Sequence, residues 1–224
     1  ITFIDSDDAI QNYTLQALMD EINKYPETDV LEYPIMERIG HPYKEQLLAF
    51  TPRNYNNCWE YWLNEQGYLH TYACNKIFRR CLFKNVYFPK GKTFEDVQTI
   101  PFLIGLIPTE GTFQQKVKIR VTNKGCYLYY WNNKGITASA KYEDLLSLYI
   151  GQSMALIHTF KTIGNRDDIM QKYQLSINIY LTQILNVLMD LFEVSGKYEN
   201  FAPLIKYTKL INNKGLINSL KLKL

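Results

Sequence analysis

Asp5, Asp7 and Asp8 fall within four residues, directly behind the apolar run Ile1–Ile4. Carboxylates this close repel one another, and the repulsion grows where a buried strand end removes them from water. A divalent cation would relieve it, and hard oxygen ligands suit Mg²⁺ or Mn²⁺. Helix capping by Ser6 or Asp7 accounts for one acidic residue and leaves the others unexplained. On residue types alone, metal ligation and capping both stand. A second acidic pair, Glu95–Asp96, sits two residues after Thr93. There it reads either as proton-transfer chemistry or as first-turn carboxylates facing a helix N-terminus. Lys76, Arg79 and Arg80 follow a strand pattern and could face a diphosphate or an acidic acceptor; a solvated basic turn is the plain alternative. His70 and His158 each stand alone among aromatic or apolar neighbours, where a satisfied structural histidine is expected.

The elements that must position these groups follow from periodicity and punctuation. Ile1–Asp5 reads as a strand apolar on both faces, which calls for neighbours on either side in a parallel sheet. From Ala9 to Lys24 the residues Ile10, Tyr13, Leu18, Met19 and Ile22 recur at helical spacing, closed by Pro26. Asp29–Met36 reads as a strand broken by Pro34, and the turn-rich stretch through Asn57 as an exposed insertion. Cys58–Asn64 predicts a short helix ended by Gly67. A strand over 72–83 gives way to a basic turn, and Val97–Ile107 predicts an apolar helix capped by Thr93 despite Pro101. Lys116–Val121 and Cys126–Trp131 predict a hairpin around Asn123-Lys124-Gly125. Helical patterns then cover 142–162, 166–194 and 199–211, punctuated by Gly164, Gly196 and Asn212.

With 224 residues, 46% of them hydrophobic and 14% aromatic, the chain can bury a sizeable core. The formal net charge is only +3, so the basic field expected of a nucleic-acid binder is absent. The charge is uneven: from Lys197 onward six Lys stand against one Glu, leaving a net −2 elsewhere. The tail Leu204–Leu224 mixes Leu and Ile with Lys, as either an interfacial helix or a packed terminal helix would. Four cysteines with no C-x-x-C pair suggest neither a zinc set nor a redox motif, and reduced thiols in a cytosolic protein fit best. No apolar run free of polar interruption reaches the length of a bilayer span. The chain opens on Ile within an apolar run, as the middle of a longer gene product would.

Three blocks in fixed order carry a resemblance: Phe3-Ile4-Asp5-Ser6-Asp7-Asp8, then Asn75-Lys76-Ile77-Phe78-Arg79-Arg80 with Leu82-Phe83, then Phe88-Pro89-Lys90-Gly91-Lys92 with Phe94-Glu95-Asp96. Together they resemble family-2 glycosyltransferases of the GT-A fold, especially bacterial enzymes that build surface polysaccharides. The resemblance implies an α/β fold: a GT-A type mixed sheet with flanking helices over residues 1–137, lacking its N-terminal nucleotide-binding units, and a helical appendage over 138–224. It implies inverting transfer from a nucleotide diphosphate sugar, a UDP-sugar foremost, to a saccharide or lipid-linked saccharide hydroxyl. Asp7 matches the direct ligand of Mg²⁺ or Mn²⁺, and Asp5 its partner toward the nucleotide. Asp8 matches a cap or an outer contact, Lys76 a donor-side contact, Asp96 the general base, and Glu95 its support or an acceptor contact. A cytoplasmic protein is implied, with peripheral contact at the inner membrane face through the basic tail. Cys74 departs from the pattern, standing where a Trp often precedes the Asn-Lys pair.

Two other classes remain open at this level. A metal-dependent nucleotidyl or phosphoryl transferase also places paired aspartates after a strand, and would tolerate loss of Asp96. A non-catalytic sugar-binding or interaction module would use the 18 Tyr and three Trp as stacking surfaces and show no metal dependence.

Overall fold

The computed structural model describes residues 1–109, 116–133, 135, 139–164 and 166–196. The basic tail, the third helical pattern at 199–211, and Ile136 and Thr137 lie outside the described residues. The fold is mixed α/β, with two four-stranded mixed sheets and six α-helices among the described residues. The strands are β1 (Ala9–Ile10), β2 (Val30–Glu32), β3 (Ile35–Ile39), β4 (Gln46–Leu48), β5 (Arg53–Tyr55), β6 (Lys76–Phe78), β7 (Ile119–Val121) and β8 (Tyr127–Tyr130). The helices are α1 (Thr14–Lys24), α2 (Cys58–Asn64), α3 (Glu95–Leu103), α4 (Tyr142–Ile163), α5 (Asp167–Lys172) and α6 (Gln174–Ser195). One sheet runs β1-β8-β3-β4 and the other β5-β7-β2-β6.

The two sheets are joined by a pair of chain segments that cross together. β2 pairs in parallel with β7, Val30 opposite Ile119, and β3 pairs in parallel with β8, Ile35 opposite Tyr127. Pro34 interrupts the first segment, as its missing N–H requires. Residues 122–126 interrupt the second. The hairpin expected around Asn123-Lys124-Gly125 is therefore not formed: β7 and β8 lie in different sheets, each satisfied by an earlier strand. Gly125, at φ +68°, makes the turn against α1, and a Cβ there would lie 2.7 Å from Thr14 Cγ2. Only glycine meets both conditions.

Other expectations shift as well. Ile1–Asp5 is not a doubly buried strand. Ile1 exchanges backbone hydrogen bonds with Phe78 on the edge of β6, while Ile1 and Ile4 remain exposed. Ala9–Ile10 pairs with β8, so the first helix starts at Thr14, after Tyr13 turns the chain at φ +64°. Leu18 alone of its apolar set is fully buried, and Tyr13 is almost fully exposed. The region read as an insertion supplies β4 and β5 to the sheet edges. α2 and the glycine ends of α4 and α6, Gly164 and Gly196, fall where the sequence places them.

Side chains of β2 alternate between two cores, as a period of two demands. Val30 faces a large cluster with Phe78, Ile119, Val121, Ile100, Leu103 and residues of α4 and α6. Leu31 faces a smaller one with Leu18, Tyr33, Ile35 and Tyr127. The C-terminal helices share the larger core: Tyr68 stacks on Tyr180 with ring centroids 4.3 Å apart, and its hydroxyl donates to the carbonyl of Ser176 at 2.8 Å. By length and composition α6 could cross a membrane, contrary to the sequence expectation, because its charged residues, Asp190 and Glu193, fall close to its C-terminal end. Here Ile177, Tyr180, Leu181, Ile184 and Leu191 of α6 are buried in the core. All four cysteines are free thiols.

Candidate active site

Asp5, Ser6, Asp7 and Asp8 form a tight turn, closed by a hydrogen bond from the Asp8 N–H to the Asp5 carbonyl at 3.2 Å. Tyr127, projecting from β8, locks it. Its hydroxyl donates to Asp8 Oδ2 at 2.8 Å and accepts from the Asp5 N–H at 3.1 Å. Asp8 Oδ1 also accepts from the Tyr130 N–H at 2.9 Å. Asp8 thus ties the turn to β8, a structural task, and helix capping plays no part because α1 starts further on. Asp7 is left at the exposed tip, with Asn132 Nδ2 at 3.3 Å from its Oδ2. Partial burial pushes the Asp5 carboxyl above its ordinary range, and repulsion from Asp8, Asp7 and Glu95 adds to the rise.

Glu95 and Asp96 occupy the first turn of α3. Thr93 does not cap it; Phe94, at φ +52°, takes that position without a side-chain bond, and Thr93 instead donates to Asp144 at the start of α4. Gly151 lets α4 approach closely, since a Cβ there would sit 3.1 Å from the Val97 carbonyl oxygen. Asp96 is partly exposed as a residue, but its carboxyl is surrounded by protein on most sides. Its Oδ2 accepts from the Ala73 N–H at 2.9 Å, and among the described residues Oδ1 has no partner. Burial, followed by repulsion from Glu95 and Asp5, pushes this carboxyl up to about 6, against the lowering effects of the Ala73 bond and Lys76.

Asp5, Glu95 and Asp96 line one cleft of about 380 Å³ together with Arg38, Leu69, Tyr72, Phe94 and Tyr129. Asp5 of the first acidic cluster is thereby brought to Glu95, 90 residues away in sequence, while Asp7 lines a separate pocket with Tyr130, Trp131, Asn132 and Asn133. Among the described residues no Lys or Arg forms an ion pair with Asp5, Asp7, Asp8, Glu95 or Asp96. No three His, Cys, Asp or Glu side chains converge, among the described residues, as a self-sufficient metal site. Asp5 and Asp7 still fit Mg²⁺ or Mn²⁺ in the form in which Mg²⁺ is usually held: one or two carboxylates, with phosphate oxygens and water completing the shell.

Lys76 does not reach this cleft. It is fully buried, and its ammonium lies 2.7 Å from Glu32 Oε1 while donating to the carbonyls of His70 and Tyr72 and to Asn75 Oδ1 at 2.8–3.0 Å. A diphosphate contact would need donors that are already engaged. Glu32, at the end of β2, also receives the Tyr61 hydroxyl at 2.5 Å and faces His70 Nδ1 at 2.8 Å. Burial alone would raise its carboxyl, but Lys76 and His70 together hold it well below the ordinary range. His70 Nε2 faces the Glu65 carbonyl, so His70 is the satisfied structural histidine expected of it. The network fastens residues 70–75, including the Ala73 N–H that holds Asp96. Arg79 likewise serves the fold, bonded to the carbonyls of Pro26 and Thr28 and paired with Asp29.

Sequence reasoning missed Arg38, Tyr72 and Tyr129. Arg38 lies at an irregularity in the β3–β8 register, at φ +56°, a conformation that costs a non-glycine residue on the order of 1–3 kcal/mol. Nothing in the local sequence signals the bulge. Tyr72 and Tyr129 read as strand aromatics, and only the tertiary fold sets their rings 6.5 Å apart at the cleft wall. No known protein-family model matches the chain, and no curated protein matches it.

Proposed function

We propose that the chain carries the acceptor and metal-binding side of an inverting glycosyltransferase with a GT-A type catalytic domain. The donor is a nucleotide diphosphate sugar, a UDP-sugar in the first instance. The acceptor is a hydroxyl of a saccharide or lipid-linked saccharide. The observation that carries this reading is the meeting of Asp96 with Asp5, the first residue of the acidic turn, in one cleft. Asp96 is a carboxylate with one oxygen fixed and the other open, and the turn's negative charge has no cationic partner among the described residues.

Each residue then has a task that its surroundings allow. Asp96 Oδ1 accepts the proton of the acceptor hydroxyl as that oxygen attacks the anomeric carbon, while the Ala73 N–H keeps Oδ2 from rotating into its place. A carboxyl raised to about 6 is a stronger base than an ordinary one and is still mostly ionised at pH 7, the combination that general-base catalysis favours. Glu95, beside it, adds negative charge that raises its basicity further. Asp5 and Asp7 would hold Mg²⁺ or Mn²⁺, whose chemistry is to neutralise the departing diphosphate. Lys76, Glu32 and His70 keep the 70–75 loop in register beneath Asp96.

The test is calorimetric titration of the purified chain with UDP and with GDP, each with and without Mn²⁺, followed by a transfer assay. Metal-dependent nucleotide binding that Asp7→Ala removes, with transfer abolished by Asp96→Asn, is the expected result. Nucleotide binding indifferent to both metal and Asp7, or transfer that survives Asp96→Asn, would refute it.

A further inference from the structure

Arg38 is a cation in a cleft otherwise lined by acidic, polar uncharged and apolar residues, and glycosyl transfer as derived above gives it no task. Among the described residues its guanidinium makes no hydrogen bond. Its Nη1 forms an ion pair with Glu37 Oε2 at 3.6 Å, too long for a hydrogen bond. Glu37 is nearly buried and already receives Gln46 Nε2 at 2.7 Å. Arg38 therefore keeps its planar fork of donors open, and that fork matches two oxygens of a phosphate or carboxylate. The backbone is held in a left-handed conformation at the β3 irregularity, the kind of distortion that re-aims a side chain. Arg38 lines the same cleft as Tyr72 and Tyr129. Tyr72 and Tyr129 offer the apolar ring surface on which the face of a sugar can lie.

We infer that Arg38 is a specificity residue that binds an anionic group, phosphate or carboxylate, carried by the acceptor sugar, whose ring rests against Tyr72 and Tyr129. This rests on the glycosyl-transfer reading, because that reading makes the cleft beside Asp96 the acceptor side. Asp5, Glu95 and Asp96 disfavour anions in the cleft generally, so an anionic acceptor is selected only if its charge falls at Arg38. An acceptor lacking the anion leaves that guanidinium with only its long ion pair to Glu37, and one with the anion misplaced meets the carboxylates.

The experiment titrates the chain, with Mg²⁺ present, against three probes followed by NMR: glucose 1-phosphate, methyl glucuronide and methyl glucoside. Expected is binding of at least one anionic probe about tenfold tighter than the neutral glucoside. Phosphate and carboxylate as the source are separated by which of the two binds. Arg38→Gln should abolish the preference, and Arg38→Lys should restore part of it. Equal affinity for all three probes, or a preference unchanged in Arg38→Gln whose circular dichroism matches wild type, would overturn the proposal. The two readings fail separately. Arg38-dependent anion binding without metal-dependent UDP or GDP binding overturns the acceptor assignment. Nucleotide binding and transfer that ignore Arg38 overturn this inference and leave glycosyl transfer standing.

Discussion

Replacing Asp96 by Asn should stabilise the protein at neutral pH while removing its base. The ordinary carboxyl value of 3.8 is pushed up to about 6 in the folded chain. That displacement of roughly 2 pH units corresponds to ~3 kcal/mol between the two protonation states. Because the folded state holds this proton more tightly than the unfolded state does, the folded chain is favoured where the group is protonated in both. That advantage disappears as pH rises through about 4 to 6, and above it the buried carboxylate is a standing penalty. Asn keeps the oxygen that accepts from the Ala73 N–H at 2.9 Å and carries no charge. Since Asp96 is partly exposed, water relieves some of the penalty, and about 1–3 kcal/mol is the expected gain at pH 7. Urea denaturation of both proteins between pH 4 and 8 measures it. The difference in stability should be near zero at the acid end, grow through pH 5 and 6, and level off above pH 7. The Glu32 network titrates identically in both proteins and cancels. A difference that is flat with pH, or one that favours wild type at pH 7, would refute the argument that burial and like charge govern this carboxyl.

Three further outcomes follow from the same structure. Lys76→Met leaves Glu32 buried without its ammonium and should cost about 3–5 kcal/mol in chemical denaturation; adding Glu32→Gln should recover a large part, since the unpaired charge is then gone. Tyr127→Phe removes the hydroxyl that holds both the Asp8 carboxylate and the Asp5 N–H, so Mn²⁺ affinity measured by calorimetry should fall roughly tenfold, with a stability loss of only ~1 kcal/mol. Unchanged affinity would mean that the turn needs no lock. Gly125→Ala forces a Cβ against Thr14 in a left-handed conformation and should lower stability by about 1–3 kcal/mol. Thr14→Ser in the same chain should return part of that loss, because it deletes Cγ2 while keeping the hydroxyl that accepts from the Cys126 N–H.

Much of the secondary structure is legible locally. α2, the long helices α4 and α6, and their glycine ends follow from apolar spacing and punctuation, because a helix is closed by contacts three and four residues away. The acidic turn and the Glu95–Asp96 pair are visible as types and spacing for the same reason. What escaped is non-local. Parallel pairing of β7 with β2 and of β8 with β3 cannot be read from the adjacency of β7 and β8, which suggests a hairpin that does not form. The fate of a polar side chain is also decided at a distance. Lys76 and Arg38 are both cations next to strand patterns, and the sequence favours Lys76 as the ligand residue. Folding turns Lys76 inward onto Glu32, where four acceptors saturate it, and leaves Arg38 open at the cleft. The sequence by itself determined which chemical groups the protein possesses and which short segments are helical. Only the tertiary structure decided which carboxylates share a cleft and which cation lines it, because hydrogen-bond saturation and burial depend on partners tens of residues away.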